Sequence, residues 1–307
     1  MSALAGRLED YLALRHSLGF KLDRAGRLLA QFVAYCEAAG AETVTADLAR
    51  AWATLPEGGS EYWFGWRLSV VRSFARYLVL IDERTEVPST EGLPVRARRA
   101  TPYLYTPAEV GRLMAAAANI PTPLRRATLA TLVGLLYVTG MRIGEAIRLD
   151  QVDVDHRQEL LVVRDSKFGK SRELPIHPST VAALRTYEKR RDRLCPWRKS
   201  PAFFVSPAGT RLLYSSVHLA FLGMVRDAGL TPRSATCRPR PHDLRHSFAV
   251  STLIGWYRDG QDVQARLPHL STYLGHVHPA NTYWYLSAAP ELLGLAAARL
   301  EPPRRRP

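Results

Sequence analysis

Fourteen residues near the end of the chain, Tyr273 to Leu286 (YLGHVHPANTYWYL), hold three tyrosines and two histidines. Such a cluster fits an aromatic core, a metal site, or a nucleophile with its proton partner. Two other stretches carry groups that could join it. In TGMRIGEAIRLD, Gly140 punctuates an apolar helix, and Arg142 and Glu145 follow three apart on one face of the next turn. There the carboxylate can fix the guanidinium; the competing reading is a surface salt bridge, a common and weak pair. In RPHDLRHSFAV a helix starts near Pro241, with His242, Arg245 and His246 at i, i+3 and i+4 on one face. A helix N-terminus offers free N–H groups and a positive dipole end, so an imidazole and a guanidinium there form a phosphate site. Metal binding by the two histidines is the alternative, but the Glu of an H-E-x-x-H site and a third ligand are missing. His246 also reads as a satisfied core histidine. Lys167 and Lys170 lie at the tip of a predicted hairpin, RDSKFGKSREL. Turn lysines are usually solvated, yet one on a mobile turn could reach a nucleic-acid groove and protonate a leaving oxygen.

The elements that must position these groups fall into two regions. Residues 1–93 show apolar positions at helical spacing and no strand alternation, which predicts a helical domain. Residues 94–105, with Arg96, Arg98 and Arg99, read as a basic linker lying against phosphate. A second domain, 106–290, opens on TPAEVGRLMAAAA, where Thr106 is the predicted N-cap, Pro107 the first helical residue and Glu109 the capping-box partner. Short β-branched runs around a Lys-Phe-Gly-Lys turn predict a small antiparallel sheet, after which helices resume. Residues 291–307 predict a helix carrying Leu292, Leu293, Leu295 and Leu300, then a basic tail. The expected fold class is mainly α with a small antiparallel sheet.

The chain has 307 residues, 42 Lys+Arg against 28 Asp+Glu, and a formal net charge of +14. That imbalance predicts an anionic polymer as partner, with DNA or RNA first. Arginine supplies most of the charge, and its planar fork suits phosphate. Cys36, Cys195 and Cys237 form no C-x-x-C pair, so neither a disulfide framework nor a zinc knuckle is expected. The most apolar run, Ala127 to Met141, is too short to span a bilayer, and the N-terminus is charged where a signal peptide needs apolar residues. The expectation is a soluble, cytoplasmic protein.

TGMRIGEAIRL, the Lys167 hairpin, HDLRHSFA, LGH and a late tyrosine stand here in the order found in tyrosine recombinases, the phage-integrase and Xer-like family. The resemblance covers about residues 105 to 290, and the helical region before it resembles the family's core-binding domain. It implies a catalytic set of Arg142, Lys167, His242, Arg245, His276 and Tyr285. Tyr285 would be the nucleophile, nine residues after His276, with TYWY in place of the usual Thr-x-x-Tyr. The two arginines would clamp the phosphate, His242 would act as base, His276 as donor to the phosphate or orienter of the tyrosine, and Lys167 as general acid. Arg96, Arg98, Arg99 and Lys170 are the expected further DNA contacts. The resemblance implies no metal or cofactor, and a homo-oligomer, a tetramer on two DNA sites, alone or with related recombinases. The segment between Arg245 and His276, including WYRDGQDVQARLPHLSTY, is longer than in compact relatives. The C-terminal helix could pack on its own domain or dock on a neighbouring protomer.

A type IB topoisomerase, with a similar active site, and a non-catalytic DNA-binding regulator on the same fold are the competing functions. The separate helical domain and leucine-rich tail favour recombination, and the complete set of six residues argues against a regulator. On an α-helix, positions 283 and 285 point about 200° apart, so Tyr283 and Tyr285 cannot share one job. Tyr283 is expected to pack with Trp284, and Tyr273 to be a bystander.

Overall fold

The computed structural model describes residues 2–94, 100–164, 171–276, 278, 280–287 and 290–300. Arg96, Arg98, Arg99, Lys167, Lys170 and the terminal PRRRP lie outside them. The chain divides into two compact units, Met1–Arg99 and Ala100–Pro307.

In the first unit, four helices are described: α1 (Ala3–Ser17), α2 (Asp23–Ala38), α3 (Ala46–Thr54) and α4 (Glu61–Leu78). Ser2, Thr45 and Ser60 cap α1, α3 and α4 through side-chain oxygens that accept backbone N–H bonds. The four apolar faces meet in one core around Phe32, Trp52, Leu68 and Phe74. Arg67 is buried there, donating to the Trp52 carbonyl at 2.7 Å with its guanidinium 3.7 Å above the Trp52 ring.

The second unit begins before the expected domain start. Tyr103 and Tyr105, within the stretch read as linker, are buried in its core, and Tyr105 N–H donates to Ser247 Oγ. Helix α5 (Pro107–Ala116) has the expected reciprocal cap: Thr106 Oγ1 accepts from Glu109 N–H, and Glu109 accepts from Thr106 N–H. Helix α6 (Pro123–Thr139) is the central rod, and the short α7 (Ile143–Arg148) follows it. Next come β1 (Val154–Asp155), β2 (Leu160–Val163) and β3 (Arg172–Pro175), an antiparallel sheet in the order β1-β2-β3 with Val163 opposite Arg172. Leu161, Val163 and Leu174 turn inward from alternate positions.

Helices α8 (Pro178–Leu194) and α5 pack on α6, α9 (Tyr214–Asp227) packs on α5, and α10 (Asp243–Arg258) crosses α6. The longer segment after Arg245 forms the end of α10 and α11 (Val263–Leu274). A single short turn, α12 (Ala280–Tyr283), runs into a 3₁₀ turn at Trp284–Ser287. Helix α13 (Pro290–Leu300) packs on its own α10: Leu292 joins the cluster of Val250, Leu253 and Leu270, while Leu293 stays exposed. No helix among the described residues is long and apolar enough to cross a membrane.

Two helix ends fix the site. Gly140 ends α6 at φ 60°. A Cβ there would lie 2.4 Å from the Phe248 ring and 3.0 Å from Leu274. Gly140→Ala combines left-handed strain with overpacking, so it should cost about 2–4 kcal/mol, read as a lowered denaturant midpoint at unchanged slope. Gly275 ends α11 at φ 70°, where His276 N–H reaches back to the Ser271 carbonyl and Gly275 N–H to that of Thr272.

Candidate active site

Closing α11 this way uses the Ser271 and Thr272 carbonyls and leaves the next three without a partner from the helix. Each takes one arginine. Arg172 Nε donates to the Tyr273 carbonyl at 2.9 Å, Arg245 Nη2 to Leu274 at 2.7 Å, and Arg142 Nη2 to Gly275 at 3.1 Å. The negative end of the helix dipole favours this gathering of cations. Arg245 also donates through Nη1 to the Gly140 carbonyl at 2.8 Å, so it spans the ends of α6 and α11. It is 2 % exposed. Burial lowers its pKa to about 10, with the Tyr285 hydroxyl raising it by charge and hydrogen bonding. It therefore remains a cation at neutral pH.

Glu145 does not form the surface ion pair that was one sequence reading. It is 4 % exposed and accepts four hydrogen bonds, from the Arg142 N–H, Arg142 Nη1, Arg172 Nη1 and Arg172 Nη2. Burial alone would raise its pKa; hydrogen bonds and charge from Arg172, then from Arg142, hold it at about 2. The stability from this ionised group is fully present above pH 4.5 and lost as pH falls toward 2. Three guanidiniums thus face one carboxylate, an excess of two positive charges.

His242 stands at the N-terminus of α10, and His276 follows Gly275 directly. Part of the His242 surface is open to solvent, but its inner edge is desolvated and faces Arg245, Arg142 and Arg240, which together push its pKa down to about 4. Burial, then Arg245, Arg142 and Arg172, lower His276 equally, to about 4. Both imidazoles are neutral at pH 7. His276 Nδ1 lies 2.7 Å from Thr282 Oγ1, a buried threonine that sets the ring's orientation.

The folded protein therefore binds fewer protons than the unfolded chain between about pH 4 and 6.5. Stability from these neutral rings is complete above pH 6.5 and is lost as pH falls toward 4. Thermal melting should drop on acidification across that window, and His242→Asn with His276→Asn should flatten the dependence. The rate of any chemistry that needs neutral imidazole should hold down to about pH 5, whereas an ordinary histidine titrates near 6.5.

Tyr285 sits in the 3₁₀ turn and is 2 % exposed. Its ring lies 6.0 Å from His276, nearly parallel, and 5.5 Å from His246. Tyr283 is 50 % exposed, so it is not the packing aromatic expected from the sequence. Tyr273 stacks on Phe248 at 5.7 Å, donates to the Pro175 carbonyl, and has its pKa pushed to about 12 by burial.

Arg142, His242, Arg245, His276 and Tyr285 thus come together, while Lys167 and the further DNA-contact candidates are outside the described residues. Sequence reasoning missed Arg172 and Thr282. The signal for Arg172 was present in the alternation of β3: it shares a face with buried Leu174, an odd place for a lone cation. His246 packs against His242, Trp284 and Tyr285.

Residues 104–291 match the phage integrase family. The chain belongs to that family. This integrase is 44% identical over 307 residues to y4rB of Sinorhizobium fredii, described as an integrase/recombinase, with 98% of each chain covered. To tyrosine recombinase XerD of Caulobacter vibrioides it is 31% identical over 230 residues, covering 74% of this chain and 71% of the relative. Among solved structures, the Tn1549 transposon integrase in complex with transposon right end DNA superposes with a TM-score of 0.65 at 15% identity, over 98% of both chains. XerH bound to its palindromic difH substrate gives 0.62 at 18%, over 84% and 73%. At those identities the likeness shows the shared two-domain integrase fold.

Proposed function

We propose that this integrase is a site-specific recombinase of a mobile element, cutting and rejoining double-stranded DNA through a 3′-phosphotyrosyl intermediate. The observation that carries this reading is the Tyr285 side chain beside a cluster of guanidiniums whose two clamp arginines are anchored on the Gly140, Leu274 and Gly275 carbonyls. A phosphodiester brings one negative charge into this site, and the excess of positive charge favours both its binding and the phenolate that attacks it. Arg142 and Arg245 bind the non-bridging oxygens as charge builds on them.

The Tyr285 oxygen bonds to phosphorus, and the bond from phosphorus to the 5′ oxygen breaks. A neutral imidazole can take the phenolic proton, and His242 fills that role. His276, oriented by Thr282, has its other ring nitrogen left to donate to the phosphate. Lys167 gives the proton to the departing 5′ oxygen. The ester keeps the phosphodiester's energy, so the 5′ hydroxyl of a second strand can reverse the step and exchange partners without an added energy source.

In this reading the first unit is the core-binding domain, Arg96, Arg98 and Arg99 at its end contact the phosphates, and Lys170 adds a contact near Lys167. Two DNA sites and a tetramer of this chain form the working assembly, in the cytoplasm. Because each phosphate contact releases counterions, DNA affinity should fall by roughly 10³ or more between about 50 and 200 mM salt. A salt-indifferent affinity, by filter binding or fluorescence anisotropy, would contradict the clamp.

The deciding experiment enriches a binding sequence from short randomised duplexes, then places a nick in that sequence so that the cleaved end diffuses away. A covalent complex that survives denaturation, mapped by mass spectrometry to Tyr285, is the expected result. No adduct on the enriched, nicked duplex would refute the recombinase reading.

A further inference from the structure

Arg172 has no role in the reaction just described, yet all three of its guanidinium nitrogens are engaged. Its Nε holds the Tyr273 carbonyl while Nη1 and Nη2 hold the two oxygens of Glu145 at 3.2 and 2.8 Å. Glu145 in turn holds the Arg142 guanidinium, which donates to Gly275, two residues on from Tyr273. The bonds close a ring through β3, α7 and the end of α11. Gly275 shows how tight that ring is, since a Cβ there would lie 2.7 Å from Arg172 Nη1.

We infer that Arg172 is a positioning residue for strand cleavage, fixing Glu145 and the turn at 273–275 so that Arg142 is presented to the scissile phosphate. This rests on the recombinase reading above. Both terminal nitrogens of Arg172 face the Glu145 carboxylate and its Nε faces the Tyr273 carbonyl, so its charge is already matched within the protein and we do not assign it to the phosphate. Its influence reaches the phosphate chiefly through the Arg142 guanidinium that Glu145 and Gly275 aim. A lysine keeps the charge opposite Glu145, but its single nitrogen cannot replace a three-point fork directed at two acceptors. What Arg172 contributes is therefore geometry more than charge, and small displacements of a positioned group are expensive in rate.

The test is a double-mutant cycle in the full chain, reading the rate of covalent adduct formation on the enriched, nicked duplex together with DNA affinity and melting temperature. Arg172→Ala should slow adduct formation roughly 10²-fold with DNA affinity within about threefold of wild type. Arg142→Ala should lose roughly 10³-fold or more, and adding Arg172→Ala to it should cost no further rate beyond about threefold, because the two act as one unit. Arg172→Lys covers the case in which the alanine variant fails to fold: it should melt near wild type and still lose roughly tenfold in rate. A wild-type rate in Arg172→Lys would overturn the inference. So would a double variant whose loss is the product of the two single losses. Absence of adduct with the wild-type chain would instead bring down the recombinase reading, and this inference with it.

Discussion

Tyr285→Phe should abolish the covalent protein–DNA complex, while Tyr273→Phe and Tyr283→Phe should still form it. The three differ in what their hydroxyls can reach. The Tyr285 hydroxyl engages Arg245, and its ring lies between those of His246 and His276. Phenylalanine keeps that packing and deletes the oxygen that bonds to phosphorus, so DNA binding should stay close to wild type and stability should fall by only about 1–2 kcal/mol for the lost bond to Arg245, while adduct formation falls to background. Tyr283 is half exposed, and its loss should change rate and stability by no more than about twofold and 0.5 kcal/mol. Tyr273 gives its hydroxyl to the Pro175 carbonyl, so its Phe variant should lose about 1 kcal/mol of stability and keep its rate. Denaturing gels on the nicked duplex, with melting curves alongside, separate all three. An adduct in Tyr285→Phe, or its loss in Tyr283→Phe, would place the nucleophile elsewhere.

Arg245→Lys should slow adduct formation by roughly 10³ to 10⁵, about 4–7 kcal/mol, with DNA affinity far less affected. The arginine is buried with one arm on the Gly140 carbonyl and the other on Leu274, so its plane is set before DNA arrives. Lysine supplies a charge but cannot hold two helix ends and a bidentate phosphate at once. Arg245→Ala leaves two buried carbonyls unsatisfied beside a cavity and should destabilise the fold by about 3–5 kcal/mol as well. The lysine variant keeps the charge and can still satisfy one of the two carbonyls, so it reads catalysis at a smaller cost in stability than the alanine variant. An Arg245→Lys protein within tenfold of wild type would show that charge alone suffices there.

Much of the fold was legible because its signals are local. The Thr106–Glu109 cap, the glycine stop at Gly140, and the strand alternation either side of Lys167 depend on neighbours a few residues away. The boundary between the units was less legible. Tyr103 and Tyr105 sit in a Pro- and Arg-containing stretch, and only their burial against partners such as Ser247, 142 residues distant from Tyr105, makes them core. Tyr283 was misread for a similar reason. Periodicity separates it from Tyr285 by about half a turn, but which of the two faces inward depends on where α10 and α13 lie.

By itself the sequence determined the types of the reacting groups, their order, the helix ends that carry them and the likeness that names Tyr285. Those are properties of residue chemistry and short-range spacing. Only the tertiary structure decided that Glu145 is buried, that both imidazoles are neutral, and that Arg172 braces Glu145 behind the clamp. Each follows from carbonyls at the end of one helix meeting guanidiniums from a strand, a helix start and a second helix, separated by up to 133 residues. Spacing along the chain cannot encode such a meeting, because it depends on where whole elements pack and on which backbone groups their ends leave without a partner.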